Sequence, residues 1–317
     1  MRVFKGDLRD DVDRLAFGPG VRLAASAVGS NQVDVWDAAT GLQADAWAAR
    51  GCSVTDLGFL PSGQVLVCVT GHPLQVIDPN AEMYGLIFPG AEDRSGQEPA
   101  VLVATGGDRV FALHGQRRPF VGDFTVAAWK PAVQGKYEVA WQVNSGEAVA
   151  AIAASNHGMV AVATRTASRW QSRRVRAELT LYDATTGVPH SSLTERTINS
   201  WQPNDRLRFF PDGERVVALA FGVVHVWETQ SGDYLGQFRT PYGSGRITDV
   251  AIHPSGKVLL TSSDDHRARL WDATSFTELT AWEWSIGKLH SIAVSADGAL
   301  AVAGGENGRI VVWDLDL

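Results

Sequence analysis

Short apolar runs, each broken by a polar turn, recur along this chain at strand length rather than helix length. Leu15-Ala16-Phe17, Val65–Val69, Val216–Ala220 and Tyr234–Phe238 are typical, and several are rich in β-branched or aromatic residues. Many end in a glycine turn: Phe17-Gly18-Pro19-Gly20, Leu60-Pro61-Ser62-Gly63, Phe210-Pro211-Asp212-Gly213, His253-Pro254-Ser255-Gly256 and Ser295-Ala296-Asp297-Gly298. Glycine supplies positive φ and proline presets the turn before it, so these segments read as hairpins. The pattern predicts antiparallel β-structure from end to end.

The hairpins are copies of one unit. An aliphatic run, a large apolar anchor and an acid recur as Val35-Trp36-Asp37, Val76-Ile77-Asp78, Leu181-Tyr182-Asp183, Val226-Trp227-Glu228, Leu270-Trp271-Asp272 and Val312-Trp313-Asp314, with a degenerate copy at Ala128-Trp129-Lys130. The anchors are spaced by 41, 52, 53, 45, 44 and 42 residues, which makes seven repeats with two long intervals. Within a repeat the order is an inner strand, a glycine turn, a short apolar strand, the acid-tipped strand, a second turn such as Thr185-Thr186-Gly187, and a last strand. Each repeat is therefore a four-strand meander.

These Trp-Asp pairs, in phase with the Pro-x-Gly turns over essentially the whole chain, resemble the WD-repeat family. The resemblance implies an all-β fold: a seven-bladed β-propeller of four-stranded antiparallel blades around a channel, with 1–317 as one domain. Trp36, Trp227, Trp271 and Trp313 are then expected between blades, and Asp37, Asp272, Asp314 and the turn acid Asp265 in structural roles. One family feature is missing. The Gly-His pair that precedes the first strand in many members is replaced by Gly51-Cys52, Gly245-Arg246 and Gly287-Lys288, so the His–Asp network of a typical blade is expected to be incomplete. The last repeat also lacks a fourth strand. Arg2-Val3-Phe4-Lys5-Gly6 is spare at the other end, and pairing the two would close the ring without an open edge.

Composition narrows the function. No run of 18 apolar residues occurs and Met1–Arg14 has no apolar signal core, so a cytoplasmic chain without a membrane span is expected. Cys52 and Cys68 read as reduced thiols. There is no Gly-x-Ser-x-Gly, His-Glu-x-x-His, phosphate loop or Cys-x-x-Cys, and the expectation is no enzyme, no cofactor and no metal. His266 beside Asp264 and Asp265 reads as a polar hairpin turn, and His290 as a core or channel histidine.

The two long intervals carry the candidate chemistry. Both fall between second and third strands, one including Arg117, Arg118 and Phe120, the other running from Arg165 to Arg176 through Arg169, Trp170, Arg173 and Arg174. The second holds five arginines and no acid, within a chain of net charge −7. In an up-and-down meander these connections emerge at the same end as the blade-to-blade links, one of which carries Trp201. Arginine forks match carboxylates and stack on aromatic rings. The expected function is a non-catalytic scaffold, monomeric by itself, that binds an acidic protein or peptide through blades 3–5. The alternatives are a nucleic-acid binder using the same arginines and a small-molecule or enzymatic propeller with a site at the channel mouth.

Overall fold

The computed structural model describes residues 1–5, 10–26, 30–48, 52–69, 72, 74–78, 100–114, 125–132, 137–144, 148–166, 176–193 and 206–317. Among them, seven antiparallel sheets form the blades of a propeller. Blade 1 runs Arg14–Phe17, Arg22–Ser26, Gln32–Asp37 and Gln43–Ala48. Blade 2 shows Val54–Phe59, Val65–Val69 and Gln75–Ile77, with 79–99 outside the described residues. Blade 3 is Ala100–Gly106, Arg109–His114, Thr125–Pro131 and Tyr137–Asn144. Blade 4 is Ala148–Ala154, Met159–Thr166, Arg176–Asp183 and Pro189–Leu193. Blade 5 is Arg206–Phe209, Arg215–Ala220, Val223–Glu228 and Tyr234–Phe238. Blade 6 is Ile247–Ile252, Val258–Ser263, Arg267–Asp272 and Glu278–Glu283. Blade 7 is Leu289–Val294, Leu300–Gly305 and Arg309–Asp314, and its outer strand is Arg2–Lys5, with Val3 opposite Val311 and Phe4 opposite Ile310.

The first strand of each blade is innermost. These seven strands adjoin in cyclic order, Leu289–Val294 lying next to Arg14–Phe17. Position in the blade explains the hydrophobic pattern. A second strand is covered on both faces by its neighbours, so Val65–Val69 is buried at every residue and reads as a continuous apolar run. An outer strand meets solvent, and Glu278–Glu283 is largely exposed.

The anchors join each blade to the one before it. Trp129 packs with Leu66 and Cys68 of blade 2, Trp227 with Leu179 and Leu193 of blade 4, Trp271 with Val217 and Phe238 of blade 5, and Trp313 with Leu260 and Leu270 of blade 6. Trp36 packs with Val302, Ile310 and Val312 of blade 7, so the same contact carries the ring across the point where its first and last blades meet. Aromatics reinforce the seams: the Phe238 and Trp271 rings lie 4.7 Å apart, Trp284 and Trp313 4.5 Å.

A register shift falls at five anchors, Trp36, Trp129, Tyr182, Trp227 and Trp271, where the third strand meets the fourth. Such a bulge re-aims a side chain and increases local twist. The acid after the anchor then ties the turn. Asp37 Oδ1 accepts from the Thr40 N–H at 2.7 Å, Asp183 Oδ1 from Thr186 at 2.7 Å and Asp272 Oδ1 from Ser275 at 2.7 Å. Four residues on stand Gly41, Gly187 and Gly232, all with φ above +70°, and in blade 6 Phe276 with φ +58°. Asp314 instead lies 3.8 Å from the N-terminal amine.

Blade 6 replaces part of the missing His–Asp network. Trp271 Nε1 donates to Thr261 Oγ1 at 2.8 Å. Asp265 receives both Nη groups of the buried Arg269, at 3.0 and 2.6 Å, together with the Ser263 hydroxyl. Burial works to raise the Asp265 pKa, but the hydrogen bonds from Arg269 and Ser263 outweigh it and hold the carboxyl below its ordinary value.

Candidate functional site: one face and the channel mouth

Strand register defines the face on which the long connections open. Every inner strand begins where the chain arrives from the preceding blade. In blade 3 the last residue of the second strand, His114, pairs with Ala100, the first of the inner strand. In blade 4 Arg165 pairs with Ala148 and Thr166 with Arg176. Both insertions therefore leave from strand ends level with the start of an inner strand, in adjacent blades. Arg165 and Arg176 occupy those strand ends. Arg117, Arg118, Phe120, Arg169, Trp170, Arg173, Arg174 and Trp201 lie outside the described residues.

On the same face, charged residues that the repeat motif does not carry converge from several inner strands. Arg14 opens the inner strand of blade 1, Arg206 and Arg208 belong to that of blade 5, Asp56 to blade 2 and Asp249 to blade 6. Arg14 Nε donates to the Thr55 carbonyl oxygen at 3.2 Å and lies 3.2 Å from Asp56 Oδ1. The Asp13 carbonyl oxygen accepts from Arg14 Nη1 at 3.0 Å and from Arg206 Nη2 at 3.2 Å, so one acceptor serves two guanidinium groups. Asp249 Oδ1 is 3.4 Å from Arg206 Nε and 3.8 Å from Arg208 Nη2. Asp249 is itself held by the Val250 N–H at 2.9 Å and, across the blade boundary, by the Ile292 N–H at 3.2 Å.

Arg14 and Arg206 are buried, while Arg208 is partly exposed. Burial, then repulsion from Arg206, lowers the Arg14 pKa to about 10, with Asp56, Asp249 and Asp13 working the other way. Arg14 stays charged at neutral pH under electrostatic stress. These residues line a cavity of about 370 Å³ whose wall continues through Ala16, Leu57, Ala153, Phe209, Ala251 and Ile292. A repeat search passes over them because charge falls near the start of an inner strand at four places without a shared residue type. Such charges on otherwise apolar inner strands were the available signal.

His266 sits in the turn after Ser263 with φ +72°. His290 Nε2 lies 3.3 Å from Asp11 Oδ2, and its Nδ1 3.9 Å from Asp13 Oδ1. Cys52 and Cys68 are free thiols, Cys52 Sγ being 3.1 Å from His72 Nε2. Among the described residues no cluster of three His, Cys, Asp or Glu could hold a metal ion, and no helix is long and apolar enough to cross a membrane.

Similarity to known proteins agrees with the architecture. The WD40 family model (WD domain, G-beta repeat) matches residues 233–272 and 282–314, which cover the outermost strand of blade 5, the first three strands of blade 6 and the first three of blade 7. The serine-threonine kinase receptor-associated protein of Homo sapiens is 25% identical over 125 residues, 39% of this chain and 35% of that protein. Pre-mRNA-processing factor 19 of Dictyostelium discoideum is 28% identical over 36% of this chain and 23% of its own length. The small ribosomal subunit protein RACK1y of Oryza sativa subsp. japonica is 32% identical over 20% of this chain and 19% of its own. The match thus spans about a third of the first relative's length. Seven antiparallel sheets around a channel make the chain a β-propeller, and its C-terminal blades are similar to the WD40 repeat.

Proposed function

We propose that this chain is a non-catalytic interaction scaffold of the cytoplasm, acting as one domain over 1–317. Its working face is that of blades 3–5, where Arg117, Arg118, Phe120, Arg165, Arg169, Trp170, Arg173, Arg174, Arg176 and Trp201 meet an acidic protein or peptide. The observation that supports this reading is the register of blades 3 and 4, in which the strand ends flanking both arginine-bearing segments lie level with the start of an inner strand. Long-range attraction speeds encounter, and bidentate arginine contacts with aromatic stacking hold the partner. Rigid blades beneath long loops are a common setting for recognition. The similar human protein is named as serine-threonine kinase receptor-associated and the similar rice protein as one of the small ribosomal subunit.

The test is capture from nuclease-treated lysate of the source cells, comparing the wild type with a variant in which Arg169, Arg173, Arg174 and Arg176 are all changed to Glu. Proteins retained by the wild type and lost by the folded variant support the reading. Equal retention refutes the location, and capture that disappears with nuclease treatment favours a nucleic-acid partner.

A further inference from the structure

We propose that the channel mouth is a carboxylate-binding site, formed by Arg14, Arg206 and Arg208 above an apolar wall. The site uses none of the insertion residues, so it stands independently of the proposed partner face.

Two buried guanidinium groups share the Asp13 carbonyl oxygen, and repulsion from Arg206 opposes the charge on Arg14. Arg14 Nη2 is buried and has no hydrogen-bond acceptor among the described residues. A buried donor in that state costs free energy unless a ligand, ion or water completes it. Asp249 cannot supply the need, because Val250, Ile292, Arg206 and Arg208 already converge on it. An incoming carboxylate brings two acceptor oxygens in the geometry of a guanidinium fork and places negative charge beside the arginine pair.

The surroundings define the ligand further. Asp13, Asp56 and Asp249 also line the cavity, so a dianion such as phosphate meets more repulsion than a monoanion. Ala16, Leu57, Ala153, Phe209, Ala251 and Ile292 offer a short aliphatic tail an apolar wall, and about 370 Å³ lies within the size range of small-ligand pockets. The fitting chemistry is a monocarboxylate on a short alkyl chain. It can come from a free short-chain acid or from a glutamate side chain of a peptide entering the channel.

Calorimetric titration of the full chain tests this with butyrate, butyramide, inorganic phosphate and an end-capped pentapeptide with one central glutamate between glycines. Butyrate is expected to bind saturably and raise Tm, with no response to butyramide and a weaker one to phosphate. Arg208→Gln alters a partly exposed side chain and is expected to weaken butyrate binding by about tenfold. Arg14→Lys keeps the charge but not the fork and should weaken it further; if that variant does not fold, Arg208→Gln decides. Tighter binding of the peptide than of butyrate identifies a side chain as the natural source, and the reverse order a free acid. The proposal is overturned if butyrate shows no saturable heat, if butyramide or phosphate equals it, or if Arg208→Gln binds like the wild type.

Discussion

The Ser291 hydroxyl donates to the Val12 carbonyl oxygen at 2.6 Å across 279 residues of sequence. The Val12 N–H donates in turn to Gly305 at 3.0 Å, so the chain entering blade 1 is stitched to blade 7. Ser291→Ala leaves the buried Val12 carbonyl without this donor and should cost about 1–3 kcal/mol. Deleting residues 1–5 exposes the edge of Arg309–Asp314 and should lower Tm further, with aggregation that rises with protein concentration. Calorimetric melting at two concentrations checks both variants.

Trp227 is fully buried between blades 4 and 5, with Tyr234 edge-on at 5.6 Å. Trp227→Ala is expected to destabilise by about 3–5 kcal/mol, read from urea unfolding. An effect under about 1 kcal/mol would place the inter-blade load elsewhere.

Two glycines with similar backbone angles should respond differently to alanine. Gly187 has φ +71°, and a Cβ there would come within 2.7 Å of the Trp141 ring; Gly107 has φ +60° and nothing within 4 Å. Both substitutions incur the left-handed penalty of about 1–2 kcal/mol. Only Gly187→Ala adds a steric conflict, so its loss in denaturant midpoint should be the larger.

The Asp265 carboxyl, held below its ordinary pKa, contributes stability that is present above about pH 4, its unfolded value. That contribution is lost as pH falls through the lower folded value. Asp265→Asn should flatten the fall of Tm on acidification below pH 4. At neutral pH it should destabilise by about 3 kcal/mol, because the buried Arg269 keeps only Glu278, 3.2 Å away, as a carboxylate partner. Thermal melts from pH 7 to pH 3 measure both effects.

The blades were legible because each repeat restates its hydrophobic pattern locally. Val65–Val69 and Tyr234–Phe238 occupy the spans that the pattern predicts. The recurring anchors revealed the fold because burial at a blade boundary demands a large apolar side chain in every repeat, most often Trp. Asp265 was recognisable as a turn acid, but its partner Arg269 was not, since the family pattern points to a histidine in another strand. The channel cluster was hidden for a different reason. Arg14, Asp56, Arg206 and Asp249 become neighbours only when the ring forms, and nothing local to any one of them anticipates the other three. Of the arginines proposed for the partner face, Arg165 and Arg176 lie at strand ends, and Arg117, Arg118, Arg169, Arg173 and Arg174 fall outside the described residues.

The proposed docking face is formed by the arginine insertions of blades 3 and 4. Its most direct test is the affinity of the full chain for a glutamate-rich dodecapeptide, measured by fluorescence anisotropy at low and physiological salt. The control is the glutamine version of that peptide. Changing Arg169, Arg173, Arg174 and Arg176 to Glu should weaken acidic-peptide binding by more than about tenfold while leaving Tm unchanged. Equal affinity in wild type and variant, with both proteins folded, would contradict it.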